Sequence, residues 1–223
     1  MKHILVFDVN ETLLDLKALD PIFEKTFGDS SVRKQWFSQF IHNAFVSIIT
    51  DTYQPFGVIG LAALDMVAAQ RGIKLKNEDK SHIVNGIKTL PPHLEVLQSL
   101  KRLKDAGFRM VTLTNSTEEV AKAQITNAGL QNNFEHIFSA DSVKRLKPAK
   151  EAYLHVSQKL KVQTKNLMLI AAHAWDIAGA INVGYSAAFI ARPGAVLNPL
   201  VPKPEIIVKN LNELVDKLVG VKT

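Results

Sequence analysis

The chain has 223 residues, 47% of them hydrophobic and 22% charged, which is ordinary for a globular protein with one core and a smaller attached unit. It contains no cysteine, which excludes disulfides, thiolate metal sites and a cysteine nucleophile, and we expect a cytoplasmic protein. The net charge of +6 favours small anionic ligands, because the lysines are scattered and form no basic-aromatic face for nucleic acid. No uncharged stretch approaches the roughly 18 apolar residues that cross a bilayer, so a membrane protein is not expected.

The first predicted element is a strand, "HILVFD" at residues 3–8. This run is too short for a signal peptide, contains Asp8 and lacks a small-residue cleavage pattern. Similar apolar runs follow at residues 109–114, 166–171, 186–191 and 205–208. Unbroken apolar runs of this length are typical of parallel strands that are buried on both faces.

Residues 15–90 have a different pattern, with helical periodicity at 31–50 and 57–72 and no convincing strand. Pro91 and Pro92 mark the return to the strand-containing part. The sequence therefore predicts a helical cap over residues 15–90, inserted into a core formed by residues 1–14 and 91–223.

Helical patterns alternate with strands after residue 90. The helix at 93–107 is expected to end at Gly107. The helix at 116–129 should begin with a capping box of Ser116 and Glu119 and end at Gly129, and a later helix should have Pro148 in its first turn. This alternation predicts an α/β fold with a Rossmann-like, doubly wound parallel sheet as its core.

In a sheet of this kind, ligands bind at the carboxyl ends of the strands, near the point where strand order reverses. Three polar clusters occupy these ends: Asp8, the pair Thr114 and Asn115, and the segment "AAHAWD" at residues 171–176. We therefore expect the three clusters to converge on one pocket.

Each of these residues has a structural alternative to its functional interpretation. Asp8 could cap a turn, or it could act as a nucleophile that forms a covalent ester or acyl phosphate. Lys147 could be a solvated charge, or its ammonium group could hold Asp8 ionised. Thr114 and Asn115 fit turn chemistry as well as anion binding at a helix N-terminus.

The segment at residues 171–176 offers a similar choice. A histidine after a strand is commonly a structural hydrogen-bonding residue, yet His173 at this edge could activate a water as general base. Trp175 stands beside it, and Asp176 lies at the expected start of a helix.

Four motifs in this order carry a specific resemblance: "FDVNETLLD", "LTNS", "KPAKEAY" and "AAHAWD". With these motifs the sequence is similar to the haloacid dehalogenase superfamily, most closely its type II 2-haloacid dehalogenase branch, over most of the chain. The resemblance implies a Rossmann-like core with a helical cap inserted after the first motif. It also implies catalysis without a metal or an organic cofactor.

The resemblance implies a role for each matching residue. Asp8 would attack the carbon that bears the halogen, displace halide with inversion and leave an ester for water to hydrolyse. Thr12, Lys147, Tyr153 and Asp176 would position Asp8 and the hydrolytic water. Thr114 and Asn115 would hold the substrate carboxylate and the halide.

Two differences from the phosphatases of this superfamily favour halide release. Asn10 stands where those enzymes have an aspartate that protonates the departing alkoxide, and halide leaves without a proton. Ala172 stands where they have a carboxylate of the magnesium site. We therefore expect no metal ligands in this chain.

Other positions differ from the dehalogenases themselves. Phe37 stands where a cap arginine usually helps to abstract halide, and His173 and Ala171 replace an asparagine and a serine. We expect Asn115 and the electropositive ring edges of Phe37 and Trp175 to cradle the halide instead. We also hypothesise that His173 and Glu11 form a pair that activates the ester-hydrolysing water.

The sequence thus predicts a hydrolase that releases halide from short 2-haloalkanoic acids through an ester on Asp8. One alternative is a magnesium-dependent small-molecule phosphatase of the same superfamily. The other is a catalytically weak member that binds a carboxylate, since a fold does not guarantee activity. The resemblance also makes a homodimer contact plausible through the broad apolar face of the cap.

Overall fold

The computed structural model describes residues 3–220, in which six strands form one parallel sheet. The strands are β1 (Ile4–Phe7), β2 (Met110–Thr114), β3 (His136–Ser139), β4 (Leu167–Ala171), β5 (Ser186–Ile190) and β6 (Ile206–Val208). Their order in the sheet is β3-β2-β1-β4-β5-β6. The predicted α/β fold with a doubly wound parallel sheet is confirmed. The ends of the predicted core, residues 1–2 and 221–223, lie outside the described residues.

The strand β3 was not predicted from the sequence. It lies at one edge of the sheet and pairs only with β2 among the described strands, with His136 opposite Val111. His136 is exposed and the next two side chains are half-buried. An edge strand of this kind needs no continuous apolar run, so the pattern that identified the other five strands is missing here.

Nine α-helices lie within residues 3–220. They are α1 (Asp20–Phe27), α2 (Val32–Ile49), α3 (Phe56–Gln70), α4 (Asn77–Lys88), α5 (Val96–Asp105), α6 (Glu118–Asn127), α7 (Lys150–Leu160), α8 (Ala174–Asn182) and α9 (Leu211–Val219). None of the helices within residues 3–220 is both long and apolar enough to cross a membrane.

Two predictions about helix starts were wrong. Thr117, not Ser116, is the N-cap of α6, and no side chain caps this helix, so the expected capping box is absent. The Ser116 hydroxyl donates instead to Gln124. Helix α7 begins at Lys150 with Ala149 as its N-cap, so Pro148 precedes the helix. The left-handed glycines Gly107 and Gly129 do follow their helices as expected.

Alternate residues of each central strand pack into two separate cores, one on each face of the sheet. In β1, Leu5 and Phe7 join the larger core, and Ile4 and Val6 join the smaller one beneath α7 and α8. Because side chains of a strand alternate between faces, a strand covered on both sides must be apolar throughout. This requirement produces the unbroken apolar runs in the sequence.

The order of the strands reverses between β1 and β4, which are neighbours in the sheet although they are far apart in the chain. The Asp8 backbone N–H donates to the Ile170 carbonyl at 3.0 Å and continues this pairing beyond the end of β1. The loops after β1 and β4 are thereby held side by side at the carboxyl edge, where ligands bind in such sheets.

Helices α1 to α4, which we call the helical insertion (residues 20–88), lie between β1 and α5 in the chain. Helices α2 and α3 pack against each other through Trp36, Phe40 and Phe56, and the Trp36 indole donates to the Gly60 carbonyl at 2.9 Å. The cap boundaries at residues 15 and 90 remain a prediction, and so does the homodimer contact.

Candidate active site

Asp8 lies directly after β1 with its carboxylate 5% exposed. One oxygen, Oδ1, accepts from the Lys147 ammonium at 2.9 Å. The other, Oδ2, accepts from the Thr12 hydroxyl at 2.6 Å and lies 3.2 Å from His173 Nδ1. Burial alone would raise the pKa of Asp8, but Lys147 and His173 outweigh burial and hold the pKa well below its usual range. Asp8 is therefore an ionised carboxylate in a nearly dry site.

Lys147 is a buried cation at the centre of this site rather than a solvated charge. Its ammonium group donates to Asp8, to the Leu113 carbonyl at 2.9 Å and to Asp176 Oδ2 at 2.5 Å. Burial alone would lower the pKa of Lys147, but the charges of Asp176 and Asp8 raise it, so the amine stays protonated. All three N–H groups are used, which fixes the ammonium position.

The side chain of Asn115 holds the loop that carries Lys147. Its Oδ1 accepts from the Lys147 backbone N–H at 2.7 Å, and its Nδ2 donates to the Lys147 carbonyl at 3.2 Å. Thr114 is buried, and its hydroxyl oxygen accepts from the Ser116 N–H at 3.2 Å. The structure therefore brings both residues to the edge predicted for them, but their hydrogen bonds go to the protein backbone.

Asp176 and Tyr153 form the layer behind Lys147. The Tyr153 hydroxyl donates to Asp176 Oδ1 at 2.6 Å, and neither residue is exposed. Burial raises the pKa of Tyr153 well above its usual value, so the phenol keeps the proton that it donates. Because Tyr153 is fully buried, its position supports orientation of Asp176 rather than contact with a substrate.

His173 lies between two carboxylates. Its Nδ1 is 3.2 Å from Asp8 Oδ2 and its Nε2 is 3.0 Å from Glu11 Oε2. Burial alone would lower the pKa of His173, but the hydrogen bonds and charges of Asp8 and Glu11 raise it to about 9. The imidazole is thus charged at neutral pH, and both of its nitrogens donate.

Two aromatic rings hold the imidazole of His173 in place. Trp175 stacks on it with ring centroids 5.1 Å apart, and Phe37 of the helical insertion lies 5.9 Å away on α2. Trp175 also contacts Phe45 edge to face. Phe37 and Trp175, the two rings predicted to cradle the halide, therefore both contact His173, which lies beside Asp8.

Glu11 has a left-handed backbone conformation, with φ at 59°, which is rare for a residue with a side chain. Its carbonyl oxygen lies 3.1 Å from His93 Nε2, and this contact helps to hold the strained turn. The turn aims the Glu11 side chain at His173, which is consistent with strain being retained at functional sites.

Two cavities adjoin these residues. An open cleft of about 680 Å³ is lined by polar and aromatic side chains that include Glu11, His173 and Trp175. A smaller apolar cavity of about 60 Å³ lies between the insertion and α6 and is lined at one end by Asn10. Phe37 lines both and forms a wall between them. The Asn10 side chain accepts from Gln124 at 2.9 Å, which fixes its orientation.

Sequence reasoning missed two buried arginines next to the site. Arg33 on α2 is 3.9 Å from Glu11 and also pairs with Asp20. Arg192 donates to the Thr12 carbonyl at 2.8 Å and to Glu95 at 2.5 Å. Sequence position could have identified both arginines. Arg33 precedes Phe37 by one helical turn, and Arg192 follows the carboxyl end of β5.

The donor set around Asp8 does not fit a magnesium ion. Ala172, at the position of the phosphatase carboxylate, offers only its backbone, and its N–H donates to Thr12 at 2.9 Å. Asp8 is already surrounded by Lys147, Thr12 and His173. Within residues 3–220, no three His, Asp or Glu side chains are grouped so as to hold a metal ion. Magnesium prefers near-octahedral oxygen ligands, which these residues do not supply.

Comparisons with known proteins agree with this geometry. The family model described as haloacid dehalogenase-like hydrolase matches residues 2–184. The (S)-2-haloacid dehalogenase 2 of Pseudomonas sp. (strain CBS-3) is 25% identical over 211 residues, which cover 94% of this chain and 92% of that protein. Haloacetate dehalogenase H-2 of Moraxella sp. (strain B) is 24% identical over 213 residues, covering 95% of each chain.

The fold is also similar to that of a solved structure. The L-2-haloacid dehalogenase of Xanthobacter autotrophicus, with chloropropionic acid covalently bound, superposes with a TM-score of 0.92 at 20% identity and covers 100% of both chains. The family model covers most of the chain, and the matched range includes Asp8 and Lys147. The chain therefore belongs to the haloacid dehalogenase-like hydrolases, as the motifs in its sequence indicated.

Proposed function

We propose that this protein hydrolyses the carbon–halogen bond of short 2-haloalkanoic acids through an ester on Asp8. The observation that carries the proposal is an ionised, buried Asp8 held by Lys147, with the amide Asn10 two residues later. Such a site can displace a leaving group that needs no proton. The relatives named as haloacid dehalogenases support the same substrate class.

In the first step, one Asp8 oxygen attacks C2 of the substrate. A C–O bond forms while the C–X bond breaks, and the halide departs with the bonding electrons on the side opposite the nucleophile. Lys147 keeps Asp8 ionised and Thr12 fixes its orientation. His173 lies beside the attacking Asp8 oxygens, so the halide departs on the side of C2 away from Asp8. The product of this step is the Asp8 ester.

In the second step, water attacks the carbonyl carbon of that ester. His173 is protonated beforehand and cannot accept a proton, but ester formation removes the negative charge of Asp8, a cause of its raised pKa. The pKa of His173 then falls, and its proton passes through the half-buried Glu11 to solvent. His173 next accepts a proton from the attacking water as its hydroxide adds to the ester carbonyl. The tetrahedral intermediate collapses to an Asp8 carboxylic acid and the alkoxide of the product, and the carboxyl proton transfers to that alkoxide, which gives the Asp8 carboxylate and a 2-hydroxy acid. Overall, haloacid and water become hydroxy acid, halide and a proton.

The decisive experiment compares two activities. Halide release from bromoacetate and 2-bromopropionate is measured with a chelator, and phosphate release from p-nitrophenyl phosphate with magnesium. We expect halide release that the chelator does not affect. We also expect Asp8→Ala to abolish it, because no other carboxylate occupies the nucleophile position. Undiminished halide release from Asp8→Ala would overturn the proposal.

The phosphatase and binding alternatives have distinct outcomes in the same experiment. Phosphate release that requires magnesium, with no halide release, would identify the phosphatase. A protein that releases neither product but binds haloacetate would be the carboxylate-binding alternative. Asn10 and Ala172 disfavour the phosphatase, because they supply neither the acid for an alkoxide nor a metal carboxylate.

A further inference from the structure

We propose that Arg33, on the helical insertion, is a positioning residue for ester hydrolysis: by pairing with Glu11 it holds that carboxylate against His173. The inference rests on the proposed function and extends it to a residue outside the four motifs. Arg33 contacts neither Asp8 nor Lys147 in the described hydrogen bonds and ion pairs, so it acts on the chemistry through Glu11.

Opposite charges alternate between Arg33 and Asp8. Arg33 NH1 lies 3.9 Å from Glu11 Oε1, and the other oxygen of that carboxylate, Oε2, lies 3.0 Å from His173 Nε2. His173 Nδ1 then faces Asp8 Oδ2, whose second oxygen is held by Lys147. Positive and negative groups therefore alternate from the insertion to Asp8.

Arg33 is buried and therefore needs anionic partners. The Arg33 side chain is only 4% exposed, and a buried guanidinium is costly unless carboxylates surround it. Asp20, at the start of α1, is one partner and Glu11 is the other. Asp20 belongs to the insertion and Glu11 to the loop after β1, so Arg33 joins the two parts of the chain beside the site.

Glu11 has a partly exposed carboxylate that needs a partner to fix its position. Its side chain is 33% exposed and faces the open cleft, and its backbone has the strained left-handed conformation. The described contacts of its carboxylate are with His173 and Arg33 only. Without Arg33 the carboxylate can rotate into the cleft, and the exit for the His173 proton is lost.

The groups that face His173 explain why loss of Arg33 should affect ester hydrolysis and not ester formation. Asp8 and Glu11 face His173 from the loop after β1, and the Phe37 and Trp175 rings contact its imidazole. Ester formation requires an ionised Asp8, which Lys147 and Thr12 hold without Glu11. Loss of Arg33 should therefore slow ester hydrolysis and leave ester formation nearly unchanged.

The test separates the two steps. Rapid-quench measurement of bromide from bromoacetate gives the first turnover, steady-state release gives kcat, and intact-protein mass spectrometry measures ester on Asp8. For Arg33→Gln we expect a full first-turnover burst, about a tenfold lower kcat, and accumulated ester. Arg33→Lys, which keeps the charge, should recover part of the loss. Arg71→Gln is the matched control, because Arg71 also lies on the insertion but pairs with Asp29.

A double-mutant cycle with Glu11→Gln provides the second readout. If Arg33 acts through Glu11, the double variant should be no slower than Glu11→Gln alone. Multiplied losses in the double variant would overturn the proposal, as would an Arg33→Gln enzyme that keeps the wild-type kcat or slows both steps equally. If Arg33→Gln does not fold, Arg33→Lys and the double variant, which removes both charges, decide between these outcomes.

Failure of this inference is distinguishable from failure of the proposed function. If the wild-type protein releases no bromide, the proposed function fails before any variant is compared. If it does release bromide and Arg33→Gln behaves as Arg71→Gln, only the role of Arg33 is refuted.

Discussion

At the scale of single residues, the site consists of paired acidic and basic side chains, with Lys147 and His173 both bound to Asp8. His173 departs from the usual chemistry of its residue type, because a histidine with a pKa of about 9 is a cation in the resting protein. In the proposed mechanism, the cationic His173 keeps Asp8 ionised first and becomes a base only after the ester forms. The role of His173 as a general base stays a prediction.

The raised pKa of His173 predicts a pH dependence of stability. A group whose pKa is higher in the folded state stabilises the fold at low pH, and the contribution disappears as the pH rises through the folded pKa. Because the pKa rises from 6.5 to about 9, the stabilisation should be complete near pH 6 and lost by pH 10. The shift corresponds to about 3 kcal/mol at most.

Urea unfolding of wild type and His173→Asn between pH 6 and 10 measures this contribution. The difference in the free energy of unfolding should be largest at pH 6 and shrink steadily above pH 7. The contributions of lysines and tyrosines to the free energy of unfolding cancel in this comparison, because these residues titrate in both proteins. A difference that does not vary with pH would contradict the assignment of the charge to His173.

At the scale of elements, the start of α8 is positioned by a close approach of α7. Gly179 on α8 faces Tyr153 of α7, and a Cβ at position 179 would lie 2.5 Å from the Tyr153 hydroxyl oxygen and 2.7 Å from Pro148 Cβ. The absence of a side chain at Gly179 therefore allows Tyr153 to reach Asp176. A helix-interior glycine is kept here although alanine favours helix formation.

Gly179→Ala should consequently destabilise the protein by about 1–3 kcal/mol, because overpacking outweighs the gain in helix propensity. Thermal or urea unfolding measures the change. Gly57→Ala is the matched control, since Gly57 on α3 has nothing within 4 Å of the added Cβ and its replacement should be neutral or slightly stabilising. Equal stability changes in the two variants would show that the Tyr153 contact does not matter.

At the scale of the whole molecule, the cleft is lined by more basic than acidic side chains. The exposed lysines Lys17 and Lys34 line its mouth, with Arg33 and His173 deeper inside. Positive charge at a cleft raises the local concentration of a small anion, and salt screens this attraction. The effect belongs to the molecule as a whole because both insertion and core contribute to the cleft.

Reversing both charges in Lys17→Glu/Lys34→Glu should lower kcat/KM for bromoacetate by roughly threefold or more at low ionic strength. The loss should shrink in about 0.5 M salt, while kcat changes little. Lys159→Glu/Lys165→Glu is a control with the same net charge, because Lys159 on α7 and Lys165 before β4 are exposed and line neither described cavity. Equal losses in both double variants would rule out a local effect of the cleft.

The sequence by itself determined the parallel sheet, except for β3, and the polar residues that lie at its carboxyl edge. The four inner strands were predictable because burial on both faces requires apolar residues throughout. The edge strand β6 was predictable from its apolar residues although it is not fully buried, whereas the other edge strand, β3, begins with an exposed His136. Asp8, Lys147, His173 and Asp176 were predictable because parallel strands present their ends at one edge, and because the motifs carrying them are specific.

Only the tertiary structure decided how the remaining side chains are used. Whether Asn115 holds a ligand or the Lys147 loop depends on where the loop after Asp141 returns, which neighbouring residues do not encode. In the sequence, Arg33 is indistinguishable from an exposed surface charge. In the folded chain it is buried beside the loop after β1, and burial makes pairing with Glu11 and Asp20 necessary. Local sequence patterns specify strands and helices, but side-chain partners depend on contacts between distant segments, and these exist only in the folded chain.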